Sequence, residues 1–162
     1  MNHHDELLIA DLTGFFRAFE WVNAKCDNGF TFRIECVDGN SDVESAVAKH
    51  FASENALNIS IKETTYSREF MFKILIRWLL CYLNDPVARD RLQDTRQNFS
   101  LSHPEFYAQL LNPILDTIET LVTIRTAYTI ELTTKGFYAC DSDDIVIAGS
   151  DRMLFLHFSV SD

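Results

Sequence analysis

The sequence predicts a single α+β domain: an antiparallel sheet of about four to six strands packed against a largely buried central helix and several amphipathic helices. Three observations carry this. Apolar residues recur at helical spacing in some segments and alternate strictly in others, with no regular strand–helix–strand rhythm. The 162 residues are 47% hydrophobic and include 13 Phe, enough for a sizeable core. Five Gly and three Pro leave little composition for a linker, so one domain is expected over 1–162.

The first element is an amphipathic helix over 6–24. Leu8, Leu12, Phe15, Phe16, Phe19 and Val22 share its apolar side, while Asp11, Arg17 and Glu20 fall elsewhere. Asn28-Gly29 breaks it. A strand follows, with Phe30, Phe32, Ile34 and Cys36 alternating against Thr31, Arg33 and Glu35. Asp38-Gly39-Asn40 is a turn, and Ser41 with Glu44 forms a capping box for a helix burying Val43, Val47, His50 and Phe51. Leu57, Ile59 and Ile61 mark a second strand.

From Ser67 the chain is apolar almost all round, through Phe70, Met71, Phe72, Ile74, Leu75, Ile76, Trp78, Leu79, Leu80 and Leu83. Only Glu69, Lys73 and Arg77 form a wet stripe, so this is the expected core helix, ending at Asn84. Asp85-Pro86 opens a charged surface helix over 86–97. Ser102 and Glu105 cap a further helix through Phe106, Leu110, Ile114, Ile118 and Leu121, which Pro113 should kink or split.

Residues 122–132 fit both periods, since Ile118, Leu121, Tyr128 and Leu132 also share a helical face. The β-branched residues favour a strand from 124. Phe137–Cys140, Ile145–Ala148 and Met153–Val160 complete the sheet, separated by Asp-rich and Gly-Ser-Asp turns.

Charge is the main functional signal. There are 24 acidic and 14 basic side chains, a net −10. The excess lies at 1–60 (ten acids, four bases) and 104–162 (nine and three), around a mildly basic middle. Such a chain repels nucleic acid, and the arginines of 86–97 are interleaved with acids. The longest apolar run, Phe70 to Leu83, contains Lys73 and Arg77 and is too short to span a bilayer, so a cytoplasmic protein without a membrane role is expected.

Catalytic, cofactor and metal motifs are not found. Cys26, Cys36, Cys81 and Cys140 lack ligand spacing and read as buried thiols. Asp38-Gly-Asn40-Ser-Asp42 begins like a calcium loop but has Val43 and Lys49 where that loop needs Gly and Glu. His50 reads as a core histidine, His103 as a loop or cap residue, and His157 as part of the last strand. Each lacks a triad partner nearby in sequence, although partners can converge in space.

The expectation is a non-enzymatic binding protein that neutralises a basic protein partner. The class it suggests is an immunity protein or inhibitor of a bacterial toxin such as a nuclease, whose basic cleft an acidic surface plugs. The residues expected to carry this are Asp141, Asp143, Asp144 and Asp151, with Asp38, Asp42 and Glu44 as a second patch. The alternative is an adaptor or subunit of a larger assembly, for which Trp21, off the Phe15/Phe19 stripe, marks an exposed apolar surface. A third reading, a small-molecule carrier or enzyme, calls for an apolar pocket between the core helix and the sheet. Oligomeric state and strand order are not legible in the sequence.

Overall fold

The structure, a computed structural model, describes residues 2–24, 29–38, 42–81 and 104–161. Among the described residues, four helices and five strands follow in the order α1 (His3–Asn23), β1 (Gly29–Asp38), α2 (Val43–His50), β2 (Ala56–Thr64), α3 (Arg68–Leu79), α4 (Pro104–Leu121), β3 (Ile124–Thr134), β4 (Asp141–Gly149) and β5 (Arg152–Ser161). The strands form one fully antiparallel sheet in the order β1-β5-β4-β3-β2, giving a single α+β domain.

The two faces of the sheet are covered unequally. Phe32, Ile145, Ile147, Leu154, Leu156 and Phe158 point to one face, where α1, α3 and α4 bury them under Leu12, Phe16, Met71, Leu75, Leu79, Leu111, Leu115 and Ile118. Val146, Ala148, Met153, Phe155 and Ile130 point to the other, where, among the described residues, α2 and a 3₁₀ turn at Ala52–Glu54 cover part of it with Ala46, Val47 and Phe51. Ile145–Ala148 of β4 and Met153–Leu156 of β5 therefore read as continuous apolar runs, because both faces are packed there.

Local chemistry sets the helix ends. Asn2 and Asp5 form a reciprocal capping box at α1. Asp5 also receives the Arg152 guanidinium at 2.7 Å, which ties the start of α1 to β5 and holds this carboxyl below the usual carboxylate range. Ser67 caps α3 through the Phe70 N–H at 3.0 Å. At its other end, the buried Asn23 amide donates to the Trp78 carbonyl at 2.9 Å, satisfying an acceptor that the last helical turn leaves open. Arg68, at the start of α3, bridges Asp116 and Glu119 of α4 at 2.8 and 2.5 Å, and Tyr66 adds a bond to Glu119 at 3.1 Å. Burial, and then the Glu119 charge, push the Tyr66 phenol up. Gly149 ends β4 where a Cβ would stand 2.5 Å from Val122 Cγ1 and 2.9 Å from the Thr123 carbonyl oxygen.

Several sequence readings need correction. Phe137–Cys140 is not a strand; β4 begins at Asp141 and includes the whole Asp-rich stretch. α2 is capped by Asp42, whose carboxylate accepts from the Ser45 N–H at 2.9 Å and is thereby held below its usual range. Leu57 points outward because the β2–β3 register shifts between Ala56 and Asn58. α4 runs unbroken through Pro113, which lies on its exposed side, and the Thr117 hydroxyl donates to the Pro113 carbonyl at 2.8 Å. Cys140 is exposed, and Cys36 and Cys81 are half-buried. Asn28, the Gly39-Asn40 turn, Ser41, Asn84, the 86–97 helix, Ser102, His103 and Cys26 lie outside the described residues.

Candidate functional site: a groove beside strand β1

The expected acidic patch is taken apart by the fold. Asp141 opens β4 and Asp151 follows its end. With about 3.3 Å of rise per residue, the two lie roughly 25 Å apart, at opposite ends of the sheet. Asp141 and Asp143 point to the helical face, where Arg77 of α3 reaches both, at 2.6 and 2.9 Å. The Trp78 indole N–H donates to the same Asp143 carboxylate at 2.6 Å. Asp151 pairs with Arg152 at 3.1 Å, and Asp38 ends β1 directly opposite Arg152. Asp42 is the α2 cap, and Glu44 stands exposed on the first turn of that helix.

Asp144 has the opposite orientation. Its register places it across from His157 on the less-covered face, and only 5% of the residue is exposed. A buried carboxylate needs partners. It has two: His157 Nδ1 at 2.7 Å and the Tyr138 hydroxyl at 3.1 Å. Burial and the Asp144 charge push the Tyr138 phenol well up, so it stays a donor. The far nitrogen of His157, Nε2, meets the Ser159 hydroxyl at 2.8 Å. Ser159, His157 and Asp144 thus stand in the order of nucleophile, base and orienting carboxylate, converging from partners that sequence spacing separates. Ser159 is only 8% exposed. The same bonds are what the buried Asp144 requires, and that requirement suffices to explain the arrangement.

This network lies at the base of a groove of about 860 Å³. The groove does not lie between α3 and the sheet, where the sequence reading looked for a pocket. It follows β1. Side chains of Thr31, Arg33 and Glu35 stand opposite Ser159, His157 and Phe155 on the less-covered face and form its floor. α1 supplies one wall through Thr13, Arg17 and Glu20. The other comes from His50, Phe51, Ser53 and Glu54, with Phe137 and Tyr138 at the end. His50 is not a core residue here: it pairs with Glu35 at 2.9 Å and stacks on Phe155 with ring centroids 4.3 Å apart.

β1 is an outer strand, paired only with β5 among the described residues. Its outward Phe32 N–H is met by the Glu20 carboxylate, at 2.5 Å, in place of a neighbouring strand. Such capping is how exposed edges are kept from pairing at random. Two large apolar side chains stand free around the groove. Phe137 lines it and is 74% exposed. Trp21, four residues after Arg17 on α1 and so on the same side of the helix, is 72% exposed, as the sequence suggested.

Among the described residues no cluster of His, Cys, Asp and Glu is arranged to hold a metal ion, and no helix is long and apolar enough to cross a membrane. Comparison with known proteins adds little. No family model and no curated protein matches the chain. Two crystal structures of citrus MAF1, in space groups P 31 2 1 and C 2 2 21, each match with a TM-score of 0.49 and 10% identity, covering 83% of this chain and 89% of that one. Nothing is carried over from them.

Proposed function

We propose that this chain is a non-catalytic binding protein, an adaptor or subunit of a larger assembly, that receives an extended segment of a protein partner in the groove beside β1. The observation carrying this reading is the outer strand at the groove floor, whose outward Phe32 N–H is held by a side chain that an incoming strand can replace. Strand addition to a sheet edge supplies affinity through main-chain bonds and specificity through alternate side chains. The exposed Trp21 and Phe137 support it as apolar contacts at the rim.

The test is to narrow the groove without touching the core. Thr13→Trp, on the exposed wall of α1, is expected to cut recovery of a partner on the immobilised chain by about tenfold, with the folded state retained. Lys62→Trp, on the exposed side of the other edge strand, is expected to leave it unchanged. Equal recovery on both variants and wild type would remove the groove from the case.

Neutralisation of a basic partner is the second reading, favoured by the net −10. Under it the chain is a cytoplasmic inhibitor of a bacterial toxin such as a nuclease. Its contacts then fall on exposed acids such as Glu44, since Asp141 and Asp143 are bound to Arg77 and Asp144 is buried. The same capture separates the two. A basic partner released by salt, lost on Glu44→Lys and retained on Thr13→Trp, would establish neutralisation instead.

A further inference from the structure

We propose that the strand received beside β1 is β1 of a second copy of this chain, paired antiparallel about a two-fold axis at Ile34. This rests on the groove reading above and names its occupant.

The groove carries both charges, with Glu20, Glu35 and Glu54 lining it alongside Arg17 and Arg33. Such a surface suits neither a wholly acidic nor a wholly basic segment. It suits itself when opposite charges occupy positions that a two-fold axis exchanges, because a symmetric contact sets residue i against j and j against i. Arg33 and Glu35 meet that condition. They are two apart on β1, so both stand on the less-covered face. Arg33 has no ion-pair partner among the described residues. Glu35 gives one carboxylate oxygen to His50, and its side chain is 59% exposed.

Strand geometry selects the register. The outward Phe32 N–H shows that even-numbered residues of β1 turn their backbone groups to the open edge. An axis at Ile34 sets Ile34 against Ile34, and Phe32 against Cys36, as hydrogen-bonded pairs. Each Arg33 then stands across from Glu35 of the other copy in the intervening pairs, where side chains approach most closely. An axis at Arg33 or Glu35 opposes like charges, and one at Phe32 or Cys36 leaves Arg33 without an acid. The Ile34 register also sets Phe30 against Asp38, so it uses nearly all of Gly29–Asp38. Glu20 is the group displaced from the Phe32 N–H.

The helix beside the strand fits the same axis. α1 runs alongside β1 from Glu20, which meets Phe32, to Asp5, which meets Arg152 across from Asp38. At about 1.5 Å per helical residue and 3.3 Å per strand residue, the level of Ile34 falls about five residues before Glu20, next to Gly14. Gly14 is exposed, with no atom within 4 Å of where a Cβ would stand. Glycine weakens a helix interior, and no contact among the described residues requires it there. The axis, perpendicular to the sheet, lays the second α1 antiparallel beside the first, and a glycine at that level lets the two backbones approach.

Sedimentation equilibrium of the full chain tests this, with amide exchange read at Ile34. A dimer is expected to form as concentration rises, and the Ile34 N–H to gain protection with it. Arg33→Glu and Glu35→Arg should each weaken the dimer about thirtyfold, because each sets like charges together twice. Both side chains are exposed, so neither change disturbs the core. Mixed one to one, or combined in one chain, the two substitutions restore opposite pairs and should return the affinity to within about threefold of wild type. Gly14→Leu should weaken the dimer about tenfold while the monomer stays folded. A chain that stays monomeric to about 1 mM would overturn the second copy. So would a dimer indifferent to Arg33→Glu, or one that the mixture fails to rescue. Partner recovery on Thr13→Trp then separates the two readings: reduced recovery keeps the groove for another occupant, and unchanged recovery removes the groove as well.

Discussion

Phe158→Ala is expected to lower stability by about 4 kcal/mol and the melting temperature by roughly 8–16 °C. Phe158 is fully buried on β5, where it joins three other aromatic side chains. Its ring centroid lies 5.5 Å from Phe16 of α1, 5.6 Å from Phe32 of β1 and 6.3 Å from Trp78 of α3. Truncation removes the one ring shared by all three elements and opens a cavity between parts held rigidly by the sheet. Phe158→Leu, which nearly conserves volume, should cost about 1.5 kcal/mol or less. Thermal unfolding followed by circular dichroism decides this. A loss under 1.5 kcal/mol for the Ala variant would mean the helices close over the gap, and that α1 and α3 are not fixed by this contact.

The second large effect concerns a polar group. Asp144→Ala is expected to cost about 3 kcal/mol, because it leaves the Tyr138 hydroxyl and the His157 Nδ1 group without their buried acceptor. Asp144→Asn should cost about 2 kcal/mol, since one amide oxygen cannot serve both donors with its former charge. Coupling is the sharper readout. In a double-mutant cycle with Tyr138→Phe, the two losses should fall short of additivity by about 1 kcal/mol. Additive losses, or an Asp144→Ala cost under 0.5 kcal/mol, would show that this carboxylate is solvated and accessible, and would return it to the surface patch proposed from charge alone.

The contrast between these two residues shows what was legible. Phe158 belongs to an alternation any reader of β5 can see, as do Phe32 in β1 and the Leu12–Phe16 stripe of α1. For residues 124–134, β-branched composition over strict alternation pointed to a strand, and β3 is one. Burial periodicity is a local property, so it survives in sequence. Asp141, Asp143 and Asp144 were misread as a turn because aspartate is a poor strand former. What allows them in β4 comes from far along the chain: Arg77 and Trp78 from α3, and His157 from β5. Arg77 lies on the wet stripe of its helix and is half exposed, yet its long side chain reaches across to Asp141 and Asp143.

The groove was invisible for the same reason. Arg17 and Glu20 looked like the polar side of an amphipathic helix, and Thr31, Arg33 and Glu35 like the polar side of a half-buried strand. Only the topology, which makes β1 an outer strand alongside α1, turns two ordinary polar faces into one lined channel. One signal was present. The polar face of β1 carries an arginine flanked by hydroxyl and carboxylate groups, on a strand whose other face is aromatic. That pattern fits a wet edge as well as a solvated face.

The most direct test of the account is site-specific photo-crosslinking in cells of the source organism. Benzoylphenylalanine placed at Ser53, on the exposed groove wall, is compared with the same residue at Lys62 on the opposite edge strand. The account predicts a discrete protein adduct from Ser53, weakened by Thr13→Trp, and no such adduct from Lys62. Adducts that form equally from both positions, or that persist at Ser53 in the Thr13→Trp background, would contradict it.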